Sequence, residues 1–233
     1  AEKLQAQLGV DFGVHLAMRY QNPSMDKVMG EMRLKNYKKL IIIPLFPHYA
    51  SASSGSAMEK ALKIISKWWV IPEISMVSQF WDDEGFINSF VARANQYNID
   101  EYDHVLFSYH GLPERHVDKV YDDGVPCADH NCENELTEDN KYCYKATCYG
   151  TTRLLVEKLG IPKEKYTVAF QSRLDKKWLR PFSDDFIKER AEKGDKEILA
   201  FSPAFVADCL ETTVEIGIEY QEIFEEHGGE KVQ

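Results

Sequence analysis

Apolar and polar positions follow two rhythms along this chain. Short apolar, often β-branched runs at 10–17, 40–46, 74–80, 105–109, 166–170 and 198–202 predict strands. Between them apolar residues return at helical spacing. Met25, Val28, Met29 and Met32 share one face of a helix over 25–34, and further helices are expected at about 57–69, 86–95, 147–159 and from 205 onward. A polar helical fragment opens the chain. The run Leu40-Ile41-Ile42-Ile43-Pro44-Leu45-Phe46 has the character of a strand covered on both faces, ended by Pro44 and Pro47. Strand and helix in alternation predict an α/β fold with parallel sheets flanked by helices.

One stretch breaks the rhythm. Residues 122–143 are polar, acidic and without period, so they read as an inserted loop held by something other than a core. Four of the five cysteines lie at 127, 132, 143 and 148, which gives two Cys-x4-Cys pairs ten residues apart. In a reducing compartment such crowding points to metal or cluster ligation before disulfides. Zinc accommodates this spacing, and plant-type 2Fe–2S sites also use a four-residue gap.

Composition narrows the classes. The 233 residues are 44% hydrophobic and 28% charged, ordinary for a globular protein with a sizeable core. A net charge of −10 without a basic stripe argues against nucleic acid, and no polybasic membrane anchor is present. No apolar run approaches the ~20 residues of a spanning helix, and no signal pattern opens the chain. The expectation is a cytoplasmic protein; peripheral membrane contact and oligomeric state stay open.

Candidate chemistry gathers where strands end. His110 closes the run Leu106-Phe107-Ser108-Tyr109 and precedes Gly111-Leu112-Pro113, which places it at the carboxyl end of a strand, the ligand edge of open α/β sheets. Phe170-Gln171-Ser172-Arg173-Leu174, with Trp178, follows the next strand, and Phe201-Ser202-Pro203 leads into Asp208-Cys209-Leu210-Glu211-Thr212. If 207–220 is helical, Asp208, Glu211 and Glu215 share one face, while Leu210, Val214 and Ile218 form an apolar stripe. An acidic row is usually a solvated face, but this one starts at the same sheet edge as His110. An imidazole opposite carboxylates suits general-base proton removal or transient coordination of a divalent metal. His15, His48, His104, His116, His130 and His227 read as structural. The serine-rich turn at 51–56 precedes a helix and suits either anion binding or ordinary capping by Ser54 or Ser56.

Together, Ser108-Tyr109-His110-Gly111-Leu112-Pro113, Phe170-Gln171-Ser172-Arg173-Leu174 with Trp178, Asp208-Cys209-Leu210-Glu211-Thr212, Met18-Arg19-Tyr20 and the 51–56 turn closely resemble the ferrochelatases, in family order and spacing. The resemblance implies two Rossmann-like, chelatase-type domains, residues 1–58 belonging to an incomplete first one and 59–233 to the second, with the cysteine insert at about 122–148. Family members carry a preceding strand with a glycine-rich loop and a final helix beyond Gly228-Gly229, so the chain reads as truncated at both ends.

The implied activity is insertion of Fe²⁺, itself a substrate, into protoporphyrin IX to give protohaem with release of two protons, a lyase reaction that forms metal–nitrogen bonds. The resemblance makes His110 the catalytic imidazole, as proton acceptor or metal contact, and Glu211 its carboxylate partner. Asp208 and Glu215 would continue an acidic track. Tyr20, Tyr109 and Trp178 would wall the pocket, with Arg19 near the propionates and Ser172 among the substrate contacts. It also favours a 2Fe–2S cluster on Cys127, Cys132, Cys143 and Cys148. The alternatives are a chelatase for another tetrapyrrole, coproporphyrin III or sirohydrochlorin, and a non-catalytic Fe–S or metal-binding regulatory module.

Overall fold

The structure, a computed structural model, describes residues 1–233 and divides into two compact units, residues 1–44 with 51–78 and residues 45–50 with 79–233. The division therefore falls near 78 instead of the expected 58, because the helix and strand after 56 pack with the first unit.

In the first unit, α1 (Glu2–Leu8) buries none of its residues. The strand expected at 10–17 does not form. Its backbone is held by a side chain in place of a neighbouring strand: Gln5 Nε2 donates to the carbonyls of Gly9 and Phe12 at 2.8 and 2.9 Å, and the Val14 N–H donates to Gln5 Oε1 at 2.8 Å. Helix α2 (Met25–Arg33) starts at Ser24, whose hydroxyl accepts the Lys27 N–H, and buries Met25, Val28 and Met29 as its period requires. Strand β1 (Lys39–Ile42), helix α3 (Ser56–Ile65) and strand β2 (Glu73–Met76) follow, β1 and β2 pairing in parallel with Leu40 opposite Ile74. Leu40 packs with Met25, Met29, Ala61 and Ile65, whereas Ile41 and Ile43 are about half exposed. The strand is thus covered on one face only, a correction that period-2 alternation explains.

The second unit carries α4 (Glu84–Ala94), β3 (His104–His110), the short α5 (Glu114–Val117), α6 (Tyr144–Leu159), β4 (Tyr166–Gln171), α7 (Ser183–Glu192), β5 (Glu197–Phe201), α8 (Gln221–Glu226) and β6 (Lys231–Val232). Its sheet is parallel throughout, in the order β4-β3-β5-β6. Residues 104–109 of the central strand β3 are all buried, as a strand covered on both faces demands. Val105, Phe107 and Tyr109 pack with Ile87 and Ala94 of α4 and Ala146, Cys148 and Leu155 of α6. Leu106 points the other way, into Ile187 and Ala191 of α7 and Phe224 of α8. The same alternation puts Ser108 and His110 on the α7 side.

Helix α7 carries no clear periodic signal in the sequence, since only Ser183, Ile187 and Ala191 are buried along it. The last helix also departs from expectation. Residues 205–209 are irregular, with a bend at 206–207, and residues Glu211–Tyr220 wind as a π-helix before α8. Asp208 therefore lies outside the helix. The wider i→i+5 winding buries Ile216 and Tyr220, beside Phe224 of α8, while Leu210 and Ile218, the expected apolar stripe, are 74% and 50% exposed. No helix is long and apolar enough to cross a membrane.

Candidate active site

His110 is the last residue of β3 and the register partner of Gln171 at the end of β4. Just beyond, the Gly111 N–H donates to the Gln171 carbonyl at 2.7 Å. A Cβ at position 111 would stand 2.8 Å from that oxygen and 3.2 Å from Trp178 Cε3, so this close approach requires glycine. The turn is tied to the Trp178 segment by Glu114 N–H to the Lys177 carbonyl, 3.0 Å, and Leu179 N–H to the Leu112 carbonyl, 2.9 Å. Trp178 and Phe205 flank the imidazole with ring centroids 6.4 and 6.3 Å away.

The tautomer of His110 follows from its neighbour. Nδ1 lies 2.6 Å from the Gly111 carbonyl oxygen. A carbonyl only accepts, so Nδ1 carries the proton and the neutral ring keeps its lone pair on Nε2.

Gln171 organises the other side. It is buried; its Oε1 accepts from Ser108 Oγ at 2.7 Å, and its Nε2 donates to the Glu211 carbonyl at 2.9 Å and to Glu215 Oε2 at 3.0 Å. The Glu215 carboxylate also accepts the Ser172 N–H at 2.6 Å, the Ser172 hydroxyl at 2.5 Å and the Tyr220 hydroxyl at 3.2 Å. Ser172 has a φ of 60°, a left-handed backbone that this carboxylate holds. Glu215 and Ser172 are thus committed to each other. Asp208 is exposed, with only a 3.4 Å contact from Thr212 Oγ1, so the three acids do not form one row. Glu211 stands in the first turn of the π-helix with its carboxylate beside Cys209, whose thiol pKa is raised by burial and by that hydrogen bond.

Tyr109 is corrected from pocket wall to core. It is fully buried, with its hydroxyl 2.8 Å from Thr152 Oγ1 and its ring against His48 and Phe170. Arg173 is likewise occupied, paired with Asp184 at 2.5 Å and Asp185 at 3.1 Å. Gln171, Phe205 and Tyr144, whose hydroxyl donates to the His110 carbonyl at 2.8 Å, carry the site without having been singled out by the sequence. Gln171 had a signal: a lone amide ending an otherwise apolar buried run.

In the first unit, Arg19 Nε donates to Ser56 Oγ at 3.1 Å and to the Ser56 carbonyl at 3.3 Å, with the guanidinium 4.6 Å from the Tyr20 ring centre. Tyr20 itself is largely exposed. The expected serine cap does not form, because a π-turn at Ser51–Gly55 leads directly into α3 and makes Gly55 the cap residue.

A family model for Ferrochelatase matches residues 1–233. The chain belongs to the ferrochelatase family. It is 41% identical over 233 residues to the ferrochelatase of Legionella pneumophila strain Paris, covering 98% of this chain and 68% of that protein. The ferrochelatase of Pseudomonas fluorescens strain SBW25 is 36% identical over 239 residues, covering 100% of this chain and 70% of the relative. Among solved structures, SirB from Bacillus subtilis with Fe³⁺ superposes with a TM-score of 0.63 at 14% identity, covering 99% of this chain and 79% of the other. That likeness shows the shared chelatase-type α/β fold. The chain is an enzyme of the ferrochelatase type.

This ferrochelatase-family chain also brings three cysteines together. The Cys127, Cys132 and Cys143 sulfurs all lie within 4.8 Å of one another, buried and in no disulfide. Side chains and main-chain groups pin the loop around them: Asp118 accepts the Cys127 N–H at 2.7 Å, Asn140 Oδ1 accepts the Thr137 N–H at 2.7 Å, and the Asn140 carbonyl accepts the Cys143 N–H at 2.8 Å. Hydrogen bonds from Cys127 and Cys132 hold the Cys143 pKa below the usual thiol range, while contacts with Cys132 and Cys143 push Cys127 up. Three convergent soft donors in a buried pocket fit a thiophilic metal. Cys148 is not in the trio. Helix α6 starts at Tyr144 and turns Cys148 into the core, where burial raises its pKa well above the usual thiol range.

Proposed function

We propose that this chain inserts Fe²⁺ into protoporphyrin IX, and that the carboxyl ends of β3 and β4 present the reacting group. The observation that carries the reading is the His110 ring. The Gly111 carbonyl holds its Nδ1 proton, and Nε2 offers a lone pair at the strand end, flanked by Trp178 and Phe205.

A porphyrin keeps its two pyrrole N–H groups in the ring plane, so metal entry requires a distorted macrocycle and an acceptor for each proton. Binding energy from the apolar ring edges supplies the distortion. Nε2 of His110 would accept a ring proton or meet the incoming iron. Glu211, tied to the same edge through Gln171, would be the carboxylate that stabilises the resulting imidazolium. Arg19 and Tyr20 would be substrate contacts, the guanidinium suiting a propionate carboxylate. We place the activity in haem biosynthesis, as a lyase in the cytoplasm.

The cysteine segment would carry a 2Fe–2S cluster in a structural or sensory role, since iron insertion transfers no electrons. Cys127, Cys132 and Cys143 would be three of its ligands. A 2Fe–2S cluster takes four protein ligands, and Cys148 on the same helix would have to be the fourth. The rival is a single zinc-type ion held by the trio.

The decisive experiment replaces His110 by Ala in the full-length protein. Iron insertion should fall by about two to four orders of magnitude, the usual contribution of an acid–base group. Porphyrin binding, followed by fluorescence quenching, should survive. Insertion at the normal rate would remove His110 from the mechanism.

A further inference from the structure

One side chain joins the cysteine trio to His110. Cys143 is the residue that caps α6, and Tyr144 is the helix's first residue. The Tyr144 hydroxyl donates to the His110 main-chain carbonyl at 2.8 Å, across 34 positions of sequence. Its ring is buried and packs edge-on against His48, centroids 5.9 Å apart. His48 in turn is fixed through Nε2 to Thr151 Oγ1 at 2.8 Å, and Tyr109 closes on the same imidazole at 5.3 Å.

Tyr144 therefore has little room to turn. A tyrosine side chain has two torsions, and swinging it aside would break its hydrogen bond to the His110 carbonyl and its contact with the buried Cys148 thiol together. What sets its origin is Cys143, whose sulfur is shared with Cys127 and Cys132 from a loop that contains only short 3₁₀ turns. Hydrogen bonds at Asp118 and Asn140 hold the backbone of that loop, and an ion bound among the three sulfurs would add the one clamp that fixes the sulfurs themselves, Cys143 included.

We propose that Tyr144 is a positioning residue that transmits metal occupancy of the Cys127/Cys132/Cys143 site to His110. The consequence for turnover rests on the reading of His110 as the reacting imidazole; the mechanical link does not.

The test uses the full-length protein and Cd²⁺ as the probe. Filling is followed by the ultraviolet thiolate-to-cadmium band, and His110 by nuclear magnetic resonance of ring-labelled histidine, its signal assigned by its loss in His110→Ala. One equivalent of Cd²⁺ should shift the His110 signal in the wild type. In Tyr144→Phe the cadmium band should appear unchanged while the His110 signal no longer follows it. In the same variant kcat should fall about five- to tenfold, as one lost hydrogen bond predicts, with the porphyrin KM nearly unchanged.

A wild-type signal that ignores cadmium overturns the proposal even if Tyr144→Phe proves unstable. An equal shift in both proteins overturns it too. Full iron insertion by His110→Ala would instead sink the functional reading and leave the cadmium-linked shift intact.

Discussion

Glu215 holds Ser172 at both of its donors: one carboxylate oxygen takes the Ser172 N–H at 2.6 Å and the other its hydroxyl at 2.5 Å. The pairing fastens the π-helix to the end of β4, and it keeps a non-glycine residue at φ 60°. Glu215→Ala would take this acceptor from both Ser172 donors and from the Tyr220 hydroxyl, and leave Gln171 Nε2 with the Glu211 carbonyl alone. Hydrogen bonds to charged groups contribute roughly 1.5–3 kcal/mol each, with heavy overlap here, so a loss of about 2–4 kcal/mol is expected in urea unfolding. Glu215→Gln should recover part of it, since an amide oxygen still accepts one donor.

Gly111→Ala tests the close approach beside His110. The added methyl would sit 2.8 Å from a backbone oxygen that cannot move without disturbing β4. Overpacking of this kind costs about 1–3 kcal/mol. Trp178 fluorescence should shift, and iron insertion should fall more than stability does, because the turn that fixes the imidazole is displaced.

Acid should weaken the fold through His48. Burial pushes its pKa down to about 3, from 6.5. His104, buried against Thr167, is pushed down to about 4, with burial again the first cause. Between these values and 6.5 the unfolded chain binds more protons than the folded one, so the stability these histidines confer is complete above pH 6.5 and drains away as pH falls toward 3. At about 1.4 kcal/mol per pH unit, His48 alone removes roughly 2 kcal/mol between pH 6.5 and pH 5. Urea midpoints at pH 7, 6 and 5 check this, and His48→Gln should flatten the slope.

The two cysteine replacements should part company if a single ion occupies the trio. Cys132→Ser should then abolish bound metal in protein purified without oxygen, whereas Cys148→Ser should retain it. If both variants lose visible absorbance and iron together, a four-ligand cluster is the better description. Metal content and an absorbance spectrum decide between them.

Much of this was legible in the residues. Buried parallel strands announce themselves as unbroken apolar runs, so β3, β4 and β5 and the histidine at a strand end stood out. The failures share a cause: tertiary context set the outcome where local pattern was weak. Residues 10–17 look strand-like but are bonded by Gln5 instead of a neighbouring strand. Helix α7 has too few apolar positions to show a period. Tyr109 and Cys148 lie among site residues in the sequence, yet alternation along β3 and winding along α6 turn both into the core. No 3.6-residue template could place Asp208, Glu211 and Glu215, because the segment does not wind with that pitch.

The π-winding of residues Glu211–Tyr220 has an outcome for how this chain can vary. Excising a single residue there would let the segment tighten into an ordinary α-helix, and everything upstream of the cut would rotate by about 100°, one residue's worth of turn. Glu211 would then lose its alignment with the Gln171 amide while Glu215 kept its grip on Ser172. Length in this stretch is therefore as tightly constrained as residue identity, and an insertion or deletion here should be harder to tolerate than most substitutions.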